Sequence, residues 1–182
     1  MDTSTTGAPG PGGPDPRGGE GAEAGEPAGP PAGTRWLDGG ELAAWLATSA
    51  IMISLPAALD ARMQRESGMT FFEYMVLSVL SEEPEHTMQM SDLAARTSAS
   101  LSRLSHVAGR LEKRGLLARV RVPGPGRRTN AVLTGAGYGE VVAAAPGHVA
   151  AVREYLVDGL GPAELAALRR IGASVEAAID RT

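Results

Sequence analysis

Residues 98–115 read SASLSRLSHVAGRLEKRG, and their interpretation decides the fold. Ser100 is placed to cap a helix, and at 100° per residue Leu101, Leu104, Ala108 and Leu111 fall on one side. Ser102, Arg103, His106, Arg110 and Lys113 fall on the other. Gly115 stands where a helix C-terminus calls for a left-handed residue. Such a rod has one face for its own core and one short, polar, cationic face.

The charge around this helix is concentrated. Between Arg96 and Arg128 there are nine basic residues and one acid, Glu112, although the chain as a whole carries −4. The excess acid lies in residues 1–33, where five carboxylates face one arginine, so the remaining chain is neutral. A basic segment set in a neutral body is the electrostatic footprint of a polyanion binder. An ordinary solvated face mixes both signs, as residues 140–182 do.

Outward from the helix, Ser91 is expected to cap a short preceding helix, SDLAART. On the other side, LLARVRV (116–122) and TNAVLT (129–134) change to a strand-like pattern around the turn PGPGRR, forming a β-hairpin with a basic tip. Upstream, Thr70 and Glu73 form a capping box for the buried helix FFEYMVLSVL. Residues 41–66 form an apolar helix in which Pro56 predicts a bend. Downstream, Thr134 caps a helix running to about residue 158, with an interruption expected at Pro146-Gly147, and Pro162 opens a last amphipathic helix.

Composition sets the bounds. A chain of 182 residues with 43% hydrophobic content supports one core. The absence of cysteine rules out disulfides, thiolate metal sites and thiol sensing within it, and fits a cytosolic setting. No signal peptide or membrane span is expected, so the protein reads as soluble, cytoplasmic and without a membrane partner. Residues 1–33 hold ten glycines and seven prolines and no large aliphatic or aromatic side chain, a composition that predicts disorder.

The run MSDLAARTSASLSRLSHVAGRLEKRGLLARV, the hairpin ending AVLTGAGY and APGHVAAVR at 145–153 together resemble the MarR family of bacterial transcriptional regulators over about residues 37–180. The resemblance implies a mainly α fold: a winged helix-turn-helix with long N- and C-terminal dimerisation helices and one small β-hairpin wing. It divides the chain into a tail (1–33), an N-terminal dimerisation helix (34–66), a DNA-binding region (67–134) and C-terminal dimerisation helices (135–182). It further implies a homodimer on a pseudo-palindromic double-stranded DNA operator, acting as a repressor relieved by a small aromatic effector. One departure is notable: Pro125 stands where the family usually carries an acidic residue bracing the tip arginine.

The candidate DNA-binding residues are Ser100, Ser102, Arg103, Ser105, His106, Arg110, Lys113, Arg127 and Arg128. The serines permit close approach, Arg103 and His106 reach base edges or phosphates, and the tip arginines suit a minor groove. Trp45, Met52, Phe71 and Tyr74 are candidate effector contacts, set against the simpler reading of ordinary core packing. GAGYGE at 135–140 misses the dinucleotide-binding spacing and lacks a second parallel strand. The serines have no base and orienting acid at motif spacing. No catalytic residue, cofactor or metal is therefore expected, and His86 and His148 are read as structural. The competing reading is a helical protein-interaction dimer whose DNA-binding surface is degenerate.

Overall fold

A computed structural model describes residues 33–123 and 128–181. Residues 33–38 belong to a separate N-terminal unit and form no helix or strand. The tail expectation for residues 1–32, and the hairpin tip with Pro125 and Arg127, lie outside the described residues.

The main unit runs α1 (Gly39–Ser67), α2 (Phe71–Glu82), β1 (Thr87–Gln89), α3 (Met90–Arg96), α4 (Leu101–Lys113), β2 (Leu117–Arg121), β3 (Thr129–Leu133), α5 (Gly135–Val152) and α6 (Pro162–Ile179). This is the winged helix-turn-helix order, mainly helical, with a small antiparallel sheet. The sheet has the order β1-β3-β2, and β3 is its centre, pairing Met88 with Ala131 on one side and Leu117 with Leu133 on the other.

Local signals in the sequence account for most boundaries. The Thr70 hydroxyl accepts the Glu73 N–H at 3.0 Å, and the Glu73 carboxylate accepts the Thr70 N–H at 2.9 Å, completing the capping box that starts α2. Ser100 and Thr134 cap α4 and α5 in the same way, through the N–H groups of Arg103 and Gly137. Gly115 ends α4 with φ +72°. Gly137 has no room for a side chain, because a Cβ there would lie 2.0 Å from the Leu116 carbonyl oxygen and 2.7 Å from the Leu133 side chain. The glycine thus lets α5 begin directly against the wing.

Three expectations are corrected. Ser91 does not cap α3: the N-cap position is Gln89, which makes no side-chain cap bond, and the Ser91 hydroxyl instead accepts from the Gln89 amide and meets Asp92. Residues 87–89 are a third strand, because three residues of apolar-polar alternation are too short to register as a strand until β3 offers them an edge. Helix α5 continues through Pro146 to Val152, and α1 contains Pro56 without ending there, as the expectation of a bend allows. Both prolines are exposed. The carbonyl four residues earlier therefore loses its partner without being sealed from water, and the helix persists. A π-helical turn, Arg153–Val157, follows α5.

The core gathers Tyr74, Val76, Leu77 and Leu80 of α2, Leu93 and Ala94 of α3, Leu104, Val107, Ala108 and Leu111 of α4, and Ala131 and Leu133 of β3. Leu101 is not part of it. At the first turn of α4 it is 52% exposed, and Val107 takes the fourth core position. Helix α6 buries no residue, and α1 buries only Leu59 and Met63. Leu42, Trp45, Leu46, Ile51, Met52 and Ile53 of α1, with Leu168, Ile171, Val175 and Ile179 of α6, stand exposed. By length and composition alone α1 would also suffice to cross a membrane.

Candidate nucleic-acid interface

The core contacts of α4 fix the roles of its other faces. With positions 104, 107, 108 and 111 turned inward, a 100° step puts Ser102, His106, Gly109 and Lys113 outermost. Arg103, Arg110 and Arg114 share the flank facing α2, while Leu101, Ser105 and Glu112 share the flank facing the wing. The outermost strip is small at Ser102 and Gly109, which lets the backbone approach a surface, and carries a cation at Lys113.

The flank facing α2 is organised by that helix's first turn. The Glu73 carboxylate is only 5% exposed. It accepts from Arg110 Nε at 3.1 Å and lies 3.8 Å from an Arg114 guanidinium nitrogen, while still closing the capping box. Burial pushes its carboxyl up, but the Thr70 backbone and hydroxyl and the Arg110 guanidinium outweigh that and hold it below the ordinary carboxylate value. One residue earlier, the Phe72 ring lies under the Arg103 guanidinium at 4.2 Å. Phe72, Arg103 and Arg110, with Asp60, Thr70, Ser102, His106 and Val107, line an open cleft of about 500 Å³.

The flank facing the wing is held by Glu112. Its carboxylate accepts from Arg119 Nε at 2.9 Å, from a terminal nitrogen at 2.6 Å and from the Arg119 backbone N–H at 3.1 Å, locking α4 to β2. The Arg119 guanidinium holds the Glu112 carboxyl below its ordinary range. A notch of about 380 Å³ opens between α3, α4 and the base of the wing, lined by Gln89, Ser91, Ser105, Arg128 and Thr129 among others.

The candidate residues are therefore distributed. Ser100 uses its hydroxyl as a cap; Ser102 and Arg103 face the cleft on the α2 side; Ser105 and Arg128 face the wing notch. His106 is exposed on the outermost strip next to Lys113. Arg110 is exposed in part but tied to Glu73. Arg127 lies outside the described residues. The notch also gathers Gln89, Ser91 and Thr129, which sequence reasoning had no basis to place together; the pairing of β1 with β3 sets Gln89 beside the wing. Among the described residues, Arg96 pairs with Glu83, and Lys113, Arg121 and Arg128 form no ion pair.

The effector candidates divide as well. Phe71 and Tyr74 flank His148 of α5, with ring centroids 5.8 and 4.6 Å away. Trp45 and Met52 are 53% and 54% exposed on α1. Tyr74 belongs to the core and Phe71 is half-buried, whereas Trp45 and Met52 are open along α1. His148 Nδ1 is buried without a hydrogen-bond partner, and burial lowers the pKa of the ring. No group of three His, Asp or Glu side chains is placed to hold a metal among the described residues.

The comparisons with known proteins agree with this geometry. The MarR family profile matches residues 67–128, from the residues before the α2 cap to the wing tip. No curated protein sequence matches the chain. Among solved structures, AbsC, a MarR family transcriptional regulator from Streptomyces coelicolor, is 35% identical, covering 82% of this chain and 100% of its own with a TM-score of 0.76. Sco3205 from the same organism, solved in complex with DNA, is 36% identical over 79% of this chain and 90% of its own, also with a TM-score of 0.76. PcaV of S. coelicolor, solved with its natural ligand, is 25% identical over 80% of this chain and 99% of its own, with a TM-score of 0.61. With a whole relative matched at this identity and the same elements in the same order, the chain belongs to the MarR family of transcriptional regulators.

Proposed function

We propose that the protein is a homodimeric repressor that binds a pseudo-palindromic double-stranded DNA operator, one α4 per half-site, and is released by a small aromatic effector. The observation that carries the DNA reading is the outermost strip of α4. Ser102 and Gly109 leave room for the helix to enter a major groove, and His106 and Lys113 offer hydrogen bonds and charge. Arg103 and Arg110 on one flank and Arg128 beside the wing notch extend the same interface, and Arg127 is assigned to it from the sequence alone. Ser100 and Ser105 contribute at its edge.

The dimer reading rests on exposed apolar surface at both ends of the chain. Large apolar side chains exposed along α1 and α6 are what an association surface presents, and a second copy would supply the cover. Residues 34–66 and 135–182 then form the dimerisation helices and residues 67–134 the DNA-binding region. Under this reading α1 is apolar because it packs on a partner, and the protein works in the cytoplasm where its operator lies. The effector reading rests on Phe71 and Tyr74 around the unpartnered His148, with Trp45 and Met52 on α1, and on the ligand-bound PcaV. No catalytic role is assigned to any residue.

A gel-shift titration against the DNA upstream of its own gene tests the reading. A dimer neutralising about 6–10 phosphates loses roughly 10³ to 10⁵ in affinity between 50 and 200 mM salt. Arg103→Ala is expected to cost about 1–3 kcal/mol on the operator alone, and Lys113→Ala to weaken every sequence alike. A flat salt response removes DNA as the partner. It would favour a protein-interaction dimer, a reading kept open by the carboxylates already paired with Arg96, Arg110, Arg114 and Arg119.

A further inference from the structure

The arginines of α4 are held in two chemically different ways. Arg110 gives its Nε–H to Glu73, so part of its donor set is spent on a carboxylate. Arg103 has no carboxylate partner among the described residues; its guanidinium lies over the face of Phe72 at 4.2 Å. The one acid in the same cleft, Asp60, is engaged elsewhere, accepting the Phe71 N–H at 2.8 Å.

That difference matters because all five N–H donors of a guanidinium lie in its plane. A carboxylate partner occupies that edge, whereas an aromatic ring engages the π face and leaves the edge free. Phe72 is half-buried at the rim of the core, anchored on one side by packing and open on the side that Arg103 covers. The ring is therefore fixed by the fold, and the guanidinium is fixed by the ring.

We propose that Phe72 is a specificity-positioning residue: it holds Arg103 by its face so that the in-plane fork is presented, already ordered, to a guanine in each half-site. The fork of an arginine matches O6 and N7 of guanine in the major groove. Ordering it before contact removes part of the rotamer entropy that binding otherwise costs. This inference rests on the DNA reading above.

The test uses the full chain. Duplexes are selected from a random library with the wild-type protein, and binding is then measured to the selected duplex, to variants with each G·C replaced by A·T, and to random duplex. Phe72→Leu is expected to lose about fivefold to tenfold on the selected duplex and nothing on random DNA, a loss of the size a cation–π contact supports. The lost discrimination falls at the same G·C position that Arg103→Met abolishes, and the double variant is no worse than Arg103→Met alone. Phe72→Tyr, which keeps the ring face, binds and discriminates as wild type. Should Phe72→Leu not fold, Phe72→Met carries the same expectation.

Full discrimination by a folded Phe72→Leu overturns the proposal. So does a loss shared by the tyrosine variant, or one equal on random DNA. A wild-type protein that selects no sequence sinks the DNA reading itself, and this inference with it.

Discussion

The helix-turn-helix with its wing and the two terminal helices are built from similar amounts of apolar residue, yet they end in opposite states. From α2 to β3 the large aliphatic side chains close on one another, and Val76, Leu77, Leu80, Leu93, Leu104 and Leu111 have no exposure. On α6 nothing is buried, and most of the apolar residues of α1 lie open. The difference is one of contact order in space. Short helices joined by tight turns fold back on themselves, whereas a 29-residue helix is about 44 Å long and outruns the domain it starts from. The first region buries its apolar residues within itself; the second leaves most of its own exposed, which is what the proposed dimer would cover.

The largest expected effect sharpens that contrast. Leu104→Ala opens a cavity where no solvent reaches and is expected to cost about 2–5 kcal/mol in denaturant melts, while Ile53→Ala, on exposed α1, leaves the unfolding of the isolated subunit nearly unchanged. Equal costs would mean that the chain closes α1 within itself.

Next in size is Ile171→Asp. A charge in the middle of the exposed α6 stripe is expected to weaken self-association by about 2 kcal/mol or more, visible as a monomer shift in sedimentation at micromolar concentration. A chain that sediments as a monomer before the substitution breaks the comparison at its root.

A smaller loss is expected from Thr70→Ala, about 1 kcal/mol by thermal melting, because the hydroxyl that caps α2 is removed. Since Glu73 belongs to both the capping box and the Arg110 pair, this variant is also expected to loosen the flank of α4 facing α2. Slowed amide exchange at Arg110 unchanged from wild type would show that the two functions of Glu73 are independent.

The smallest effect is a pH dependence. Burial lowers the His148 pKa from its ordinary 6.5, so the unfolded chain binds more protons than the folded one in the window just below that value. Stability is therefore expected to fall as pH drops through that window, and His148→Leu to flatten the slope there. Glu73, held below its ordinary 4.5, adds a second acid loss at lower pH, which the histidine variant keeps. A slope that survives the substitution assigns the upper window to another group.

Much of the fold was legible in particular residues. Thr70 with Glu73, Ser100, Gly115, Thr134 and Pro162 mark element ends because each acts through bonds to a backbone within four residues. The concentration of cations between Arg96 and Arg128 likewise pointed to α4 without coordinates. The errors were tertiary. Ser91 has the right chemistry for a cap, but β1 pairs with β3 and the cap position falls two residues earlier, at Gln89. Pro146 has the chemistry of a breaker, but an exposed face tolerates it. Leu101 has the right hydrophobicity for the core, but at the first turn it falls on the flank facing the wing, where it lines the notch beside Met90 and stays 52% exposed.

The linear chain by itself determined the helices and the two strands of the hairpin, where most of them begin and end, and where positive charge accumulates, since these follow from local bonding and composition. Only three-dimensional packing decided what each cation faces. Arg103 meets a ring, and Arg110 and Arg114 share a buried carboxylate, because α2 packs on one flank of α4 from a distant stretch of chain, whereas Arg119 reaches Glu112 locally, through the short turn into β2. No pattern of neighbours in sequence encodes which partner arrives from 30 or more residues away, and that arrival determines which donors stay free.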